Sequence, residues 1–323
     1  MNSWLRNTLI AAIACAAIAA QAQTYPTKPI RVIVTFPPGG SSDTVTRLIS
    51  PRLSERLGQP IVIENRPGGG GGIGADAVAK SAPDGYTLVV GAQGGLALNT
   101  IFYPNLPYNP LKDFAPITLL VKSPFVVSVN PAVTPVDSVK DLIARLKTQR
   151  GTPFASGGTG SGMHLAGELF KLMANLDMTH VAYKGNGPAL TDLAGGQVPL
   201  AFTDLGSTPA FLKSGRIRAL AVTSRQRTPL APDIPSATEA GLPAWVASGW
   251  FGLAAPAGTP SAVISRLNAE TTATLRQSDV RKRILATYNE PSPTTPEEFG
   301  DFIRAEIANW SKVVRDAGVK LER

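Results

Sequence analysis

Short apolar runs alternate along the chain with stretches whose apolar positions recur at helical spacing. Nine runs read as strands: Ile30–Phe36, Ile61–Glu64, Thr87–Gly91, Ile117–Val121, Phe125–Asn130, Thr179–Ala182, Leu200–Thr203, Ala219–Thr223 and Gly249–Ala254. Amphipathic helices fall between several of them. In Thr44–Leu57, the apolar residues Val45, Leu48, Ile49, Leu53 and Leu57 share one face. Such alternation predicts an α/β fold with mostly parallel sheets. Helix starts are marked by Asp137 before Ser138–Lys147, by Thr259-Pro260 before Ser261–Gln277, and by Thr295-Pro296-Glu297-Glu298. The last has threonine at the cap, proline at the first helical position and glutamate two residues on, a capping box. It predicts a terminal helix to about Ala317, packed on the body through Phe302, Ile303, Ile307, Trp310 and Val314.

The first residues break this pattern. Arg6 precedes an apolar run from Leu9 to Ala20 that ends in Ala20-Gln21-Ala22, the layout of a secretory signal peptide cut near Ala22. Twelve residues are short against the roughly 20 needed to span a bilayer, so export to the periplasm is expected, without stable membrane insertion. A lipid anchor at Cys15, the only cysteine, is the alternative. The 301 residues that remain of 323 after removal of 22 exceed the usual ceiling of about 250 for one core, so two lobes are expected. Two extended stretches, Pro124–Asn130 and Ala219–Ser224, serve as crossovers. They divide the chain into a first lobe of residues 23–124 and 224–323, a second lobe of residues 125–223, and a cleft between them. Loss of Arg6 lowers the formal charge from +8 to +7, and the basic residues form no block, which argues against nucleic acid as a partner.

The candidate chemistry lies in glycine-rich turns. At Phe36-Pro37-Pro38-Gly39-Gly40-Ser41-Ser42-Asp43, a strand stops and a helix begins, a place where backbone N–H groups and the helix dipole favour anions. Ser156-Gly157-Gly158-Thr159-Gly160-Ser161-Gly162 repeats the arrangement and suggests a second jaw. Gly91–Leu98 and Thr203–Ser207 also follow strands, and in open α/β sheets ligands bind at those ends. None of these four loops holds lysine or arginine, so an anion there would be held by backbone N–H groups, hydroxyls and water. Asp43 is either the cap of the helix starting at Thr44 or a ligand contact. Asp204 would repel a bare carboxylate and would have to meet an ammonium, a hydroxyl or a bridging water.

Other chemistries fit less well. Gly69, Gly71 and Gly74 satisfy G-x-G-x-x-G, but Gln93-Gly94-Gly95 stands where a dinucleotide site needs an acidic residue, and a flexible turn is the plainer reading. No serine sits in a nucleophile elbow, which leaves Ser161 with His164 as the one hydrolase or lyase pair to consider; His164 more readily orients the loop. Two histidines, no cysteine after cleavage and scattered acidic residues offer no metal site, and no cofactor is expected.

The chain resembles the Bug, or TctC-like, extracytoplasmic solute receptors of tripartite tricarboxylate transporters. The resemblance rests on Tyr25-Pro26-Thr27-Lys28-Pro29-Ile30, Phe36–Gly40, Glu64-Asn65-Arg66-Pro67-Gly68, Pro83-Asp84-Gly85-Tyr86, Gly158–Ser161, Tyr183-Lys184-Gly185, Gly215–Thr223 and Pro256–Pro260. It implies a two-lobed periplasmic-binding-protein fold of the second type that closes on a small carboxylate; a monomer that presents it to membrane transporter subunits is expected, with a co-receptor for a signalling partner as an alternative. The first jaw it implies contains Phe36, Pro38, Gly39, Gly40, Ser41, Ser42 and Asp43. The second contains Ser156, Gly158, Thr159, Gly160, Ser161 and His164. Gln93 and Asp204 lie in segments that vary among relatives and are the candidates for specificity.

Overall fold

The computed structural model describes residues 25–316. The signal-peptide reading, Cys15 and Ala317 lie outside them. The chain forms β1 (Ile30–Val34), α1 (Ser41–Leu57), β2 (Ile61–Asn65), α2 (Gly72–Ala79), β3 (Thr87–Ala92) and the short α3 (Asn99–Phe102), then the long β4 (Phe114–Val129). There follow α4 (Val139–Leu146), β5 (Thr152–Ser156), α5 (Gly162–Met173), β6 (Met178–Ala182), α6 (Asn186–Ala194), β7 (Leu200–Asp204), α7 (Pro209–Lys213) and β8 (Arg218–Val222). The return runs through β9 (Ser248–Pro256), α8 (Ser261–Arg276), α9 (Ser278–Leu285), β10 (Glu290–Pro291) and α10 (Pro296–Asp316).

The strand order is β2-β1-β3-β9-β4-β7-β5-β6, with β8 and β10 also on β4. The expected parallel pairing holds toward the outside of each half, where β1 joins β2 and β3, and β5 joins β6 and β7. In the centre β9 runs antiparallel to both β3 and β4, and β4 runs antiparallel to β7 and β8. The reason is β4 itself. Its first part, Phe114–Pro124, pairs with β9, and its second, Phe125–Val129, pairs with β7 and β8, so one strand carries the chain between halves. The sequence breaks this strand at Pro124, but Pro124 stays in register opposite Ser248.

The core follows the same division. Ile30, Val32, Val34, Leu53, Leu88 and Leu120 pack in one half, under α1 and α8, and Phe154, Phe170, Phe202 and Leu220 pack in the other. The second crossing lies later than expected. Ala237, Leu242 and Trp245 pack with Phe154, Phe170 and Phe202, and Trp245 Nε1 donates to the Ala166 carbonyl at 2.8 Å. Residues 224–247, assigned to the first lobe by sequence, therefore pack with the second, and the chain recrosses near Ala247. The terminal helix keeps its capping box: Glu298 N–H donates to Thr295 Oγ1 at 3.1 Å, and Thr295 N–H donates to Glu298 Oε2 at 2.8 Å. Ile303, Trp310 and Val314 are buried as the stripe predicts. No helix among the described residues is long and apolar enough to cross a membrane.

Candidate functional site

Two helix starts from opposite halves face one cavity. After β1 the chain turns at Phe36–Gly40, with Gly39 at φ +80, and enters α1 at Ser41. After β5 it turns at residues 157–161, with Gly158 at φ +126 and Gly160 at φ +80, and enters α5 at Gly162. Positive φ is why glycine stands at these corners. The first N–H groups of each helix lack intrahelical acceptors and carry the positive end of its dipole. Phe36, Gly40, Ser41 and Ser42 line the cavity from one side, and Ser161, Gly162, Met163, Asn186, Asp204 and Ser207 from the other. Gln93 and Gly94, after β3, and Phe125, Gly249 and Phe251, on the crossing strands, complete it.

Of these residues only Asp204 is ionisable, and no lysine or arginine is among them. The space open to the centres of water molecules is about 30 Å³. The two halves border this space from both sides. They meet closely: Gly185 lies on the Pro37 ring, Gly70 lies on the carbonyl of Thr159, and Tyr103 OH donates to that same carbonyl at 3.2 Å. The run Gly68–Gly72 is thus a packed contact instead of a flexible turn.

The polar groups are specifically tied. Ser41 N–H donates to Ser207 Oγ at 3.2 Å, and the Ser207 hydroxyl donates to Asp204 at 3.0 Å. Ser41 Oγ donates to Asn289 Oδ1 at 3.0 Å, and Asn186 Nδ2 donates to Asp204 Oδ2. Burial pushes the Asp204 carboxyl up to about 6, against hydrogen bonds from Ser207 and Asn186 that favour its charged form.

Several expected contacts hold the jaws without lining the cavity. Gly40, in extended conformation, takes the cap position of α1, so Asp43 is not the cap. Its carboxylate accepts from Gly39 N–H and Asn65 Nδ2, each at 2.9 Å, and pairs with Arg47 at 2.9 Å, which keeps its pKa below the usual range despite burial. Asn65 also donates to the Phe36 carbonyl at 2.9 Å, so this pair pins the first turn from β2. Pro38 and Gly39 are exposed on its outer side. In the second turn, Ser156 Oγ bonds His180 Nε2 at 2.7 Å, and the Thr159 carbonyl faces Gly70 and Tyr103.

Ser161 is the cap of α5. Its hydroxyl donates to the Gly158 carbonyl at 2.6 Å and accepts from His164 N–H at 3.2 Å. His164 Nδ1 accepts from Gly160 N–H at 3.4 Å, so imidazole and hydroxyl form no nucleophile–base pair. The His164 ring stacks on His180, centroids 3.8 Å apart, and burial lowers the two pKa values to about 3 and about 4. Among the described residues no cluster of three or more His, Cys, Asp or Glu could hold a metal. Sequence reasoning missed Asn186, Ser207, Phe125 and Phe251. Asn186 follows the Tyr183-Lys184-Gly185 motif and Ser207 closes a loop already noted, but neither type signals binding by itself.

A two-lobed α/β receptor with a cleft of helix N-termini is the class this geometry defines. The family model described as "Tripartite tricarboxylate transporter family receptor" matches residues 45–319, and the chain belongs to this family. Its members are periplasmic solute-binding receptors and not enzymes. Protein BugT of Bordetella pertussis is 41% identical over 314 residues, which cover 96% of each chain. Among solved structures, Rpa4515 of R. palustris with adipate is 38% identical at a TM-score of 0.88, covering 91% of this chain and 98% of that one. MatC from Rhodopseudomonas palustris with bound malate is 35% identical at a TM-score of 0.86, covering 90% and 100%.

Proposed function

We propose that the protein is an exported receptor that captures a small organic carboxylate between its halves and presents the closed form to the membrane subunits of a tripartite transporter. The observation that carries this reading is the pair of helix starts, Ser41-Ser42 and Ser161-Gly162, turned onto one cavity whose lining has no basic side chain. Backbone N–H groups and hydroxyls then hold the anion. Structural neighbours bound to adipate and malate support a carboxylate ligand.

The crossings at Pro124–Phe125 and near Ala247 act as the hinge. Closure is a population shift, favoured by contacts that form only when both jaws reach the ligand. The chain works as a monomer, since the cleft is complete within one copy. Asn65, Asp43 and His164 position the jaws, and Gly40, Ser41, Ser42, Ser161 and Gly162 touch the carboxylate.

Calorimetric titration and thermal shift against a panel of organic acids test the reading. We expect saturable one-to-one binding and a melting temperature that rises with ligand concentration. No shift with any organic acid, or steady product formation lost in His164→Ala, would sink it.

A further inference from the structure

Two acceptors in the cleft face a ligand with no choice of role. The Gln93 amide gives its N–H to Glu306 Oε2, and since a carboxylate only accepts, its own oxygen must point the other way. That oxygen is buried, has no hydrogen-bond partner, and stands against cavity-lining Gly162 so closely that a Cβ there has no room. Gln93 as a whole is only 2% exposed. Its orientation is built from outside the cleft, because Trp250 Nε1 donates to the same Glu306 oxygen at 2.9 Å. The second acceptor is Asp204, 4% exposed, with Ser207 and Asn186 as its donors and no cation among the cavity residues. The Asn186 amide is fixed in the same way: it donates to Asp204, and its oxygen lies over Gly157.

An unpartnered buried acceptor loses its bond to water and gains nothing unless the ligand supplies a donor. A carboxylate lining the same cavity, that of Asp204, raises the penalty for a second anionic group. We propose that Gln93 and Asp204 select a carboxylate whose other end carries a hydrogen-bond donor, a hydroxyl or an ammonium, over a plain dicarboxylate. This rests on the receptor reading above. The ligand's own carboxylate sits on the backbone N–H groups of the helix starts, and its donor reaches Gln93 Oε1, which stands at Gly162, and Asp204, which is joined to Ser41 through Ser207.

Matched acids of equal length test it: gamma-hydroxybutyrate, gamma-aminobutyrate, butyrate and succinate, with their longer homologues, titrated into the full chain by calorimetry. The donor-bearing acids should bind tighter than both the plain and the dicarboxylic ones by on the order of tenfold, the weight of one hydrogen bond to a charged group. Asp204→Asn should erase most of the preference for an ammonium and less of that for a hydroxyl, which separates the two donors. Gln93→Met should lower the preference for both. Succinate binding as tightly as the donor-bearing acids in the unaltered protein overturns the proposal, whatever the variants do, and leaves the receptor reading standing. Binding of no carboxylate at all overturns both.

Discussion

Thr223 and Phe125 hold each other across the point where the chain first changes halves. Phe125 N–H donates to Thr223 Oγ1 at 2.9 Å, and Thr223 N–H donates to the Phe125 carbonyl at 2.9 Å. The same hydroxyl donates to the Ala247 carbonyl at 2.6 Å, and Ala247 N–H returns to the Thr223 carbonyl at 3.1 Å. One buried side chain therefore ties both crossings together. Thr223→Val keeps the shape and strands two buried backbone groups, which should cost about 1–3 kcal/mol of stability. Chemical denaturation measures it; an unchanged midpoint at unchanged slope would refute this account of the hinge.

The stacked pair of His164 and His180 predicts a pH dependence. Both folded-state pKa values lie below the unfolded value of about 6.5, chiefly through burial, with the charges of His180 and Lys171 adding for His164 and that of Lys171 for His180. Glu168 Oε1 lies 4.0 Å from His164 Nε2, and burial still dominates. The unfolded chain thus binds protons first, so the stability of the pair is intact above about pH 6.5 and falls as pH drops toward about 4. Asp204 acts in the opposite sense, since its raised folded value makes it favour folding more as pH falls from about 6. With two groups against one, the three together take up about one proton more on unfolding, so their net contribution falls between about pH 6 and pH 4. Melting temperature recorded across that range should fall, and His164→Gln should flatten the slope. A slope equal to that of the unaltered protein contradicts the assignment.

What was legible in the sequence was local. The capping box at Thr295 and Glu298, the apolar stripe of α10 and the glycines at the two jaws are read from neighbours a few residues apart, and the structure keeps them. Features set by distant partners were not legible. Pro124 reads as a strand end, yet β9 lies alongside and carries β4 through it. Thr152–Ser156 contains Pro153 and does not read as a strand, yet pairing with β7 starts at Phe154, one residue past the proline. Asp43 has the look of a cap, and only Asn65, far away in sequence, shows that it pins the turn instead. Ala219–Ser224 reads as the second crossover from its extended pattern, and nothing near Trp245 in sequence reveals that its indole reaches Ala166.

Ser161 separates positioning from grip. Its hydroxyl is occupied by Gly158 and His164, so Ser161→Ala removes a helix cap and should cost about 1 kcal/mol of stability. Binding should weaken by only about 0.5–1.5 kcal/mol, because the N–H groups of α5 remain in place. Denaturation and titration on the same preparation give both numbers. Complete loss of binding in a folded protein would contradict a grip made mainly by the backbone.

Gly70 offers a test of closure with its own control. It sits at φ +59, and a Cβ there would lie 2.6 Å from the Thr159 carbonyl and 3.2 Å from Asn99 Oδ1, so an alanine wedges the halves apart. Gly69 sits at φ +56, but a Cβ there meets only Ile73 at 3.9 Å. Backbone strain is the same in the two alanine variants, about 1–2 kcal/mol. Only one of them adds a collision across the cleft. Both should lose similar stability, whereas Gly70→Ala alone should lower ligand affinity, by on the order of tenfold, since ligand binding must then oppose the wedge as well as close the halves. Small-angle scattering with saturating ligand should show Gly69→Ala compacting like the unaltered protein and Gly70→Ala remaining more extended. Equal affinities in the two variants would mean that the Gly70–Thr159 contact is not part of closure.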